Sequence, residues 1–241
     1  MKRTILACVV IAAILSGQDT LGQNIMDALG KMTDPSRQAT YGSNYTFDTY
    51  VKMEVTTGGQ MVIYESYVNK EKGNLAMVFT AEGMPMKVIF DNENESVIYL
   101  TNAGGQKAGM AMAINGDAIK EFAESQGTGD YEKPPEEYKT GKSKNILGYR
   151  CDEYLVKTGS SEARIWASEE LGRELGKETL GNQKIMGGAF NQTMFGNGMV
   201  MEYDYKDGNE TVILKIVELE LNKSNSISTS GYQIMSLGQM F

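Results

Sequence analysis

The 241-residue chain contains no histidine. That absence removes the commonest general base near neutral pH, the Ser-His-Asp and Cys-His nucleophile systems, and metal sites that rely on imidazole. Cysteine is nearly missing as well, with only Cys8 and Cys151 present. Cys8 falls in a segment that reads as removable, which leaves Cys151 without a partner and excludes an intramolecular disulfide and Cys-rich metal or cluster sites. Basic residues are the minority, 23 against 31 acidic. An acidic chain without a basic run argues against nucleic acid, or an anionic bilayer surface, as the main partner. Apart from one short run at the N-terminus there is no long apolar stretch, so no transmembrane segment is expected.

What is present begins with the pattern of a secretory signal. Lys2 and Arg3 form a positive start, Ile5 to Leu15 an apolar run, and Ser16, Gly17, Thr20 and Gly22 a small-residue stretch. Cleavage after Gly22 fits this layout, and the run is well short of the roughly 20 residues of a spanning helix. Ile5-Leu6-Ala7-Cys8 has the letters of a lipobox, but the cysteine stands at the beginning of the apolar run instead of after it. Removing residues 1–22 takes away two basic groups and one acidic one, so 23 against 31 becomes 21 against 30, a net charge of −9. Residues 23–241 are long enough for one sizeable core and read as a single β-rich domain.

Along the chain, Ile25, Met26, Leu29 and Met32 have helical spacing, so a short helix is expected over 24–34, ending near Pro35. From Tyr45 to Val55 the period becomes two, the pattern of a half-buried strand. Further strands are expected at 60–69, 74–81, 85–91, 96–101 and 106–114, separated by short turns. Such spacing describes an antiparallel meander with no room for crossover helices. Residues 117–125 read as a helix, Gly127 to Pro135 as a polar link, and 137–144, 148–157 and 161–167 as strands. Ser168-Glu169-Glu170-Leu171 opens a mixed, glycine-rich stretch to residue 190 with helix pieces. A hairpin, 198–206 and 210–222, turns at Asp207-Gly208, and a last strand covers 227–236. About ten strands in one antiparallel sheet must curl, which gives a mainly β fold: a curved sheet or half-barrel with helices over its concave side.

No motif marks a catalytic pair. Gly148-Tyr149-Arg150-Cys151-Asp152-Glu153-Tyr154 could present a thiolate, but alternation turns Arg150 away from the sulfur and Asp152 opposes ionisation, so Cys151 reads as a small buried core residue. Asp91-Asn92-Glu93-Asn94-Glu95 lacks the glycine and terminal glutamate of a calcium loop and reads as a polar hairpin turn. No cofactor or metal is expected. The unusual positive feature is 16 methionines. Met84 with Met86, Met110 with Met112 and Met199 with Met201 stand at i, i+2 on strands, placing paired thioethers on one sheet face. Flexible thioethers either fill gaps in a curved core or line an adaptable apolar binding surface.

The segment Lys142-Ser-Lys-Asn-Ile-Leu-Gly-Tyr-Arg-Cys-Asp-Glu-Tyr154 followed by Arg164-Ile-Trp-Ala-Ser-Glu-Glu-Leu171 resembles an exported bacterial family, domain of unknown function 4412. Val88-Ile-Phe-Asp91, Gly105-Gln-Lys-Ala-Gly-Met110 and Gly231-Tyr-Gln-Ile-Met235 are similar elements. That family looks like a relative of the LolA/LolB-type lipoprotein carriers, so the resemblance implies a half-barrel around an apolar cavity and no catalytic residues. It also implies a periplasmic or outer-membrane-associated place in a Gram-negative envelope. The expectation is a non-enzymatic protein that binds a lipid or lipoprotein acyl chain in the sheet concavity, with Met84, Met86, Met110, Met112, Met199 and Met201 lining it. The alternative is an envelope interaction or scaffold protein, with a protein partner and no small ligand.

Overall fold

Period-two patterning builds almost the whole of the described chain. The computed structural model describes residues 34, 36–81, 83–115, 135–175, 194–195 and 197–236. The expected signal segment, the helix at 117–125, nearly all of the helix at 24–34 and of the polar link, and the stretch from 176 to 190 lie outside these residues.

The strands are β1 (Asn44–Thr57), β2 (Gln60–Val68), β3 (Leu75–Ala81), β4 (Met84–Asp91), β5 (Ser96–Ala103) and β6 (Gln106–Ala113). After a 3-10 turn at Pro135–Tyr138 come β7 (Lys139–Ile146), β8 (Tyr149–Thr158), β9 (Ser161–Ser168) and helix α1 (Glu169–Leu175). Then follow β10 (Met194–Phe195), β11 (Gly198–Asp207), β12 (Glu210–Ser228) and β13 (Gln233–Ser236). All belong to one sheet in the order β13-β6-β5-β4-β3-β2-β1-β12-β11-β9-β8-β7, with β10 attached to β11. Two meanders, β1 to β6 and β7 to β9, are thus joined through β1, β12 and β11. An open sheet of this width twists and curls. The curved, mainly antiparallel sheet expected from sequence is what the chain forms. Gly58-Gly59 and Gly104-Gly105 carry the positive φ angles (58° and 82°, 58° and 85°) that two-residue hairpins demand.

The C-terminal end differs from expectation. Ile227 and Ser228 still belong to β12, Thr229 to Tyr232 form a turn, and β13 pairs parallel with β6 (Gln233 opposite Ala108). The strand expected over 227–236 is thus broken at the turn, and parallel pairing across so much sequence has no local signature.

Register sorts the side chains into two faces. The inner face, on which α1 and β10 pack, holds the larger buried cluster, running from Met112 on β6 to Tyr154 on β8. Across β1–β6 it is laid out in lateral rows. One row is Thr49, Val68, Leu75, Phe90, Val97, Met112; the next is Val51, Ser66, Met77, Val88, Tyr99, Met110; the third is Met53, Tyr64, Phe79, Met86, Thr101, Ala108. On the outer face Ala76, Ile89, Ile98, Leu100, Ala111 and Ala113 form a second cluster. It is covered by Tyr45 and Phe47, because β1 pairs with β2 only from Thr49 onward and its earlier residues pack here with Ile227. The Tyr45 hydroxyl fixes this cover by donating to Asp91 Oδ2 (2.7 Å) while accepting from the Gly42 amide (2.7 Å).

Ser168 starts α1, its Oγ accepting from the Leu171 amide (3.4 Å), and Glu169 and Glu170 occupy the first turn where the helix dipole favours anions. Leu171 and Leu175, one turn apart, bury themselves in the inner cluster.

Candidate functional site

The three rows of the β1–β6 inner face contain no charged residue. The row from Thr49 to Met112 is buried throughout, and so are Met53, Tyr64, Phe79 and Met86 in the third, which opens at half-buried Thr101 and exposed Ala108. Between them, Met77, Tyr99 and Met110 are only half-buried. Past the buried first row the face therefore opens through Met77, Tyr99 and Met110 toward Thr101, Ala108 and Met84.

The sequence-nominated methionines are distributed over this face, not gathered at one point. Met86 and Met112 are buried in it, Met110 is half-buried, and Met84 is 41% exposed because it is the first residue of β4, beside the turn at Gly83. Met199 and Met201 are buried in the same cluster, but on β11. That is five strands from β4, or roughly 24 Å along the sheet at about 4.8 Å per strand. Met53 and Met77 belong to the rows with Met86 and Met110, and spacing alone did not mark them. Each is a solitary methionine on its strand, and only the register places it.

One polar atom in these rows is unusual. The Tyr64 hydroxyl is buried and has no hydrogen-bond partner, and burial alone pushes its pKa up. Its ring lies tilted on Phe79 at 5.6 Å between centroids.

The other chemistry-bearing groups are structurally occupied. Cys151 is fully buried, its Sγ lies 3.6 Å from the Tyr149 carbonyl, and burial pushes the thiol up to about 11, so no thiolate is available. Asp91 accepts from the Asn94 amide (3.0 Å) and side chain (2.7 Å) as well as from Tyr45, which makes 91–95 a closed polar turn. Among the described residues no group of three His, Cys, Asp or Glu side chains is placed to hold a metal ion.

On the outer face of β7–β9, Glu153 is buried and accepts from the Thr140 hydroxyl (2.6 Å), with Lys142 Nζ and Arg164 Nε each 3.4 Å away. Beside it, Lys144 pairs with Glu202 and lies 4.4 Å from the centre of the Trp166 ring. The Thr140 bond first, then the two cations, hold the Glu153 carboxyl below its ordinary value, against the effect of burial. Because the folded-state value is depressed, the stabilisation is complete above the unfolded value of about 4.3 and is lost as pH falls through the folded one. Thr140→Val is expected to move the acid-unfolding midpoint to higher pH in a circular dichroism titration. An unchanged midpoint would remove Glu153 from the acid limb.

Residues 47–222 match the family model described as Domain of unknown function (DUF4412), and the chain belongs to that family. The resemblance carried by the Gly148–Tyr154 segment and Trp166 is borne out. No curated protein matches the chain in sequence. Among solved structures, PNGF-II is similar at 12% identity, covering 78% of this chain and 31% of that one, with a TM-score of 0.33. This chain thus spans about a third of PNGF-II. LprF from Mycobacterium bovis is similar at 9% identity, covering 72% of this chain and 86% of that one, TM-score 0.33. The MucA/MucB complex of Pseudomonas aeruginosa is similar at 9% identity, covering 83% and 56%, TM-score 0.34. Likenesses this shallow leave the architecture to rest on the strand order and register above.

Proposed function

We propose that this chain is an exported, non-catalytic envelope protein that holds an apolar ligand, a lipid or the acyl chain of a lipoprotein, against the inner face of β1–β6. The observation that supports the reading is the half-buried stripe of Met77, Tyr99 and Met110, flanked by the buried row from Thr49 to Met112 on a face whose rows hold no charge. A hydrocarbon chain laid there covers apolar area at roughly 25 cal/mol per Å² and needs no polar partner along its length. Thioethers at Met53, Met77, Met86 and Met110 adjust to chains of different shape without a fixed geometry. The signal pattern supports an exported protein that meets lipids, and the lack of histidine in the sequence, with no metal-ligand cluster among the described residues, agrees with binding.

Native mass spectrometry and solvent extraction of the protein purified from cell envelopes test this. The expected result is a mass increment matching an acyl lipid. Met110→Glu, which sets a charge in the stripe, is expected to lower occupancy at least about tenfold, since an unpaired charge beside hydrocarbon costs more than 1.4 kcal/mol. Met61→Glu, at a side chain 58% exposed on the outer face, is expected to leave occupancy unchanged. A bare mass from envelopes, or equal occupancy in all three proteins, would instead fit a scaffold whose strands only form a core.

A further inference from the structure

Buried hydroxyls in folded proteins nearly always find a partner, and each exception calls for an explanation. Other buried polar side chains of this chain follow the rule: Asp91, Asn69, Asn74, Ser96, Glu153 and Ser168 all make hydrogen bonds. Among the described residues, the unpartnered buried side-chain atoms are Thr57 Oγ1 and the Tyr64 hydroxyl. Thr57 ends β1 beside the Gly58-Gly59 turn, whereas Tyr64 is 1% exposed and stands within the row Met53, Tyr64, Phe79, Met86. Phenylalanine would fill that place and bury no orphan donor, so the hydroxyl is a cost without return in the protein alone.

We infer that the Tyr64 hydroxyl is the polar anchor of the inner face and donates a hydrogen bond to the carbonyl oxygen of an acyl ligand. This rests on the apolar-ligand reading and narrows it: the ligand class is an apolar chain carrying an ester or carboxyl oxygen, not a plain hydrocarbon. The neighbours of Tyr64 in the row, Met53 and Phe79, and Met86 beyond them, have only thioether or aromatic side chains, and the row's other hydroxyl, Thr101, stands three strands away on β5. With no cation in the rows, the oxygen is recognised through hydrogen bonding, which favours a neutral ester over a free carboxylate.

The test is a competition on the delipidated mature protein. Methyl decanoate and n-undecane are supplied at equal concentration from cyclodextrin, and bound ligand is extracted after gel filtration and measured by gas chromatography. The wild type is expected to retain the ester in about five- to tenfold excess, the worth of one hydrogen bond in an apolar site. Tyr64→Phe is expected to bind undecane as the wild type does, to lose the preference, and to melt at the same temperature or higher without ligand. Equal retention of both probes by the wild type, a preference that survives in Tyr64→Phe, or a lowered melting temperature of that variant overturns the anchor alone. Failure of both probes to bind overturns the apolar-ligand reading with it.

Discussion

Phe47→Ala is expected to lower the unfolding free energy by about 3–5 kcal/mol, the range for deleting a buried ring from a packed core. For a chain of this size that is a fall in melting temperature of roughly 10 °C, at about 2–4 °C per kcal/mol. Phe47 is 2% exposed and packs with Tyr45, Ile89, Ile98, Leu100 and Ile227, its ring 5.9 Å from that of Tyr67. It lies where β1 has left β2 and the β12 register shifts, between Phe47 and Thr49. This part of β1 is laddered on one side only, Asn44 to Phe47 pairing with Ser228 to Asn225 of β12. On the other side the Asn69 side-chain Nδ2 donates to the Thr46 carbonyl (2.9 Å), and the Lys70 backbone amide donates to Asp48 Oδ2 (3.1 Å). On the side that β2 leaves open the ring covers the outer cluster, and its loss leaves a cavity there. Thermal unfolding followed by circular dichroism measures it. A change below about 1 kcal/mol would mean that this cover is not part of the cooperative core.

The second large effect is at Gly172 in α1. Alanine is the better helix former by about 1 kcal/mol, so propensity alone predicts a stabilised protein. Packing opposes it. A Cβ at position 172 would overlap the Asn197 carbonyl oxygen and stand 3.0 Å from Gly198 Cα, both backbone atoms that cannot rotate away. Overpacking of that kind costs about 1–3 kcal/mol, and a contact so short belongs at the upper end. Gly172→Ala is expected to be destabilised by about 2 kcal/mol net, since α1 must shift off β11 or the 197–198 turn must open. A denaturant titration decides the sign. A higher midpoint in the variant would show that the helix moves away at no cost, and that its seat on the sheet is loose.

Much of the fold was legible because alternation is a local signal that burial enforces. Tyr45 to Val55 reads directly as β1, and Met199 to Tyr205 as β11. The helix start at Ser168 carries its cap and acidic first turn in consecutive residues. What escaped notice depends on partners distant in sequence. Two-residue β10 exists because Met194 and Phe195 meet Met199 and Gly198, and β13, within the strand expected over 227–236, is set apart and parallel because β6 leaves an edge to pair with.

The site was legible in kind and not in arrangement. Methionine pairs at i, i+2 were easy to see, yet Met84 ended at an exposed turn while solitary Met53 and Met77 took places in the rows. Register decides this, and register follows from turn geometry and from the contest of both faces for burial. Tyr64 gave no signal at all, because a tyrosine on an alternating strand is ordinary until its hydroxyl is found without a partner.

The most direct measurement of ligand binding at the inner face is a methyl-methionine NMR titration of the delipidated protein with methyl decanoate, resonances being assigned by single substitutions. Binding at the proposed stripe is expected to shift Met77 and Met110 most, Met53 and Met86 next, and to leave Met61 on the outer face unmoved. Silence of all four inner methionines at saturating ester, or a response confined to Met61, would contradict it.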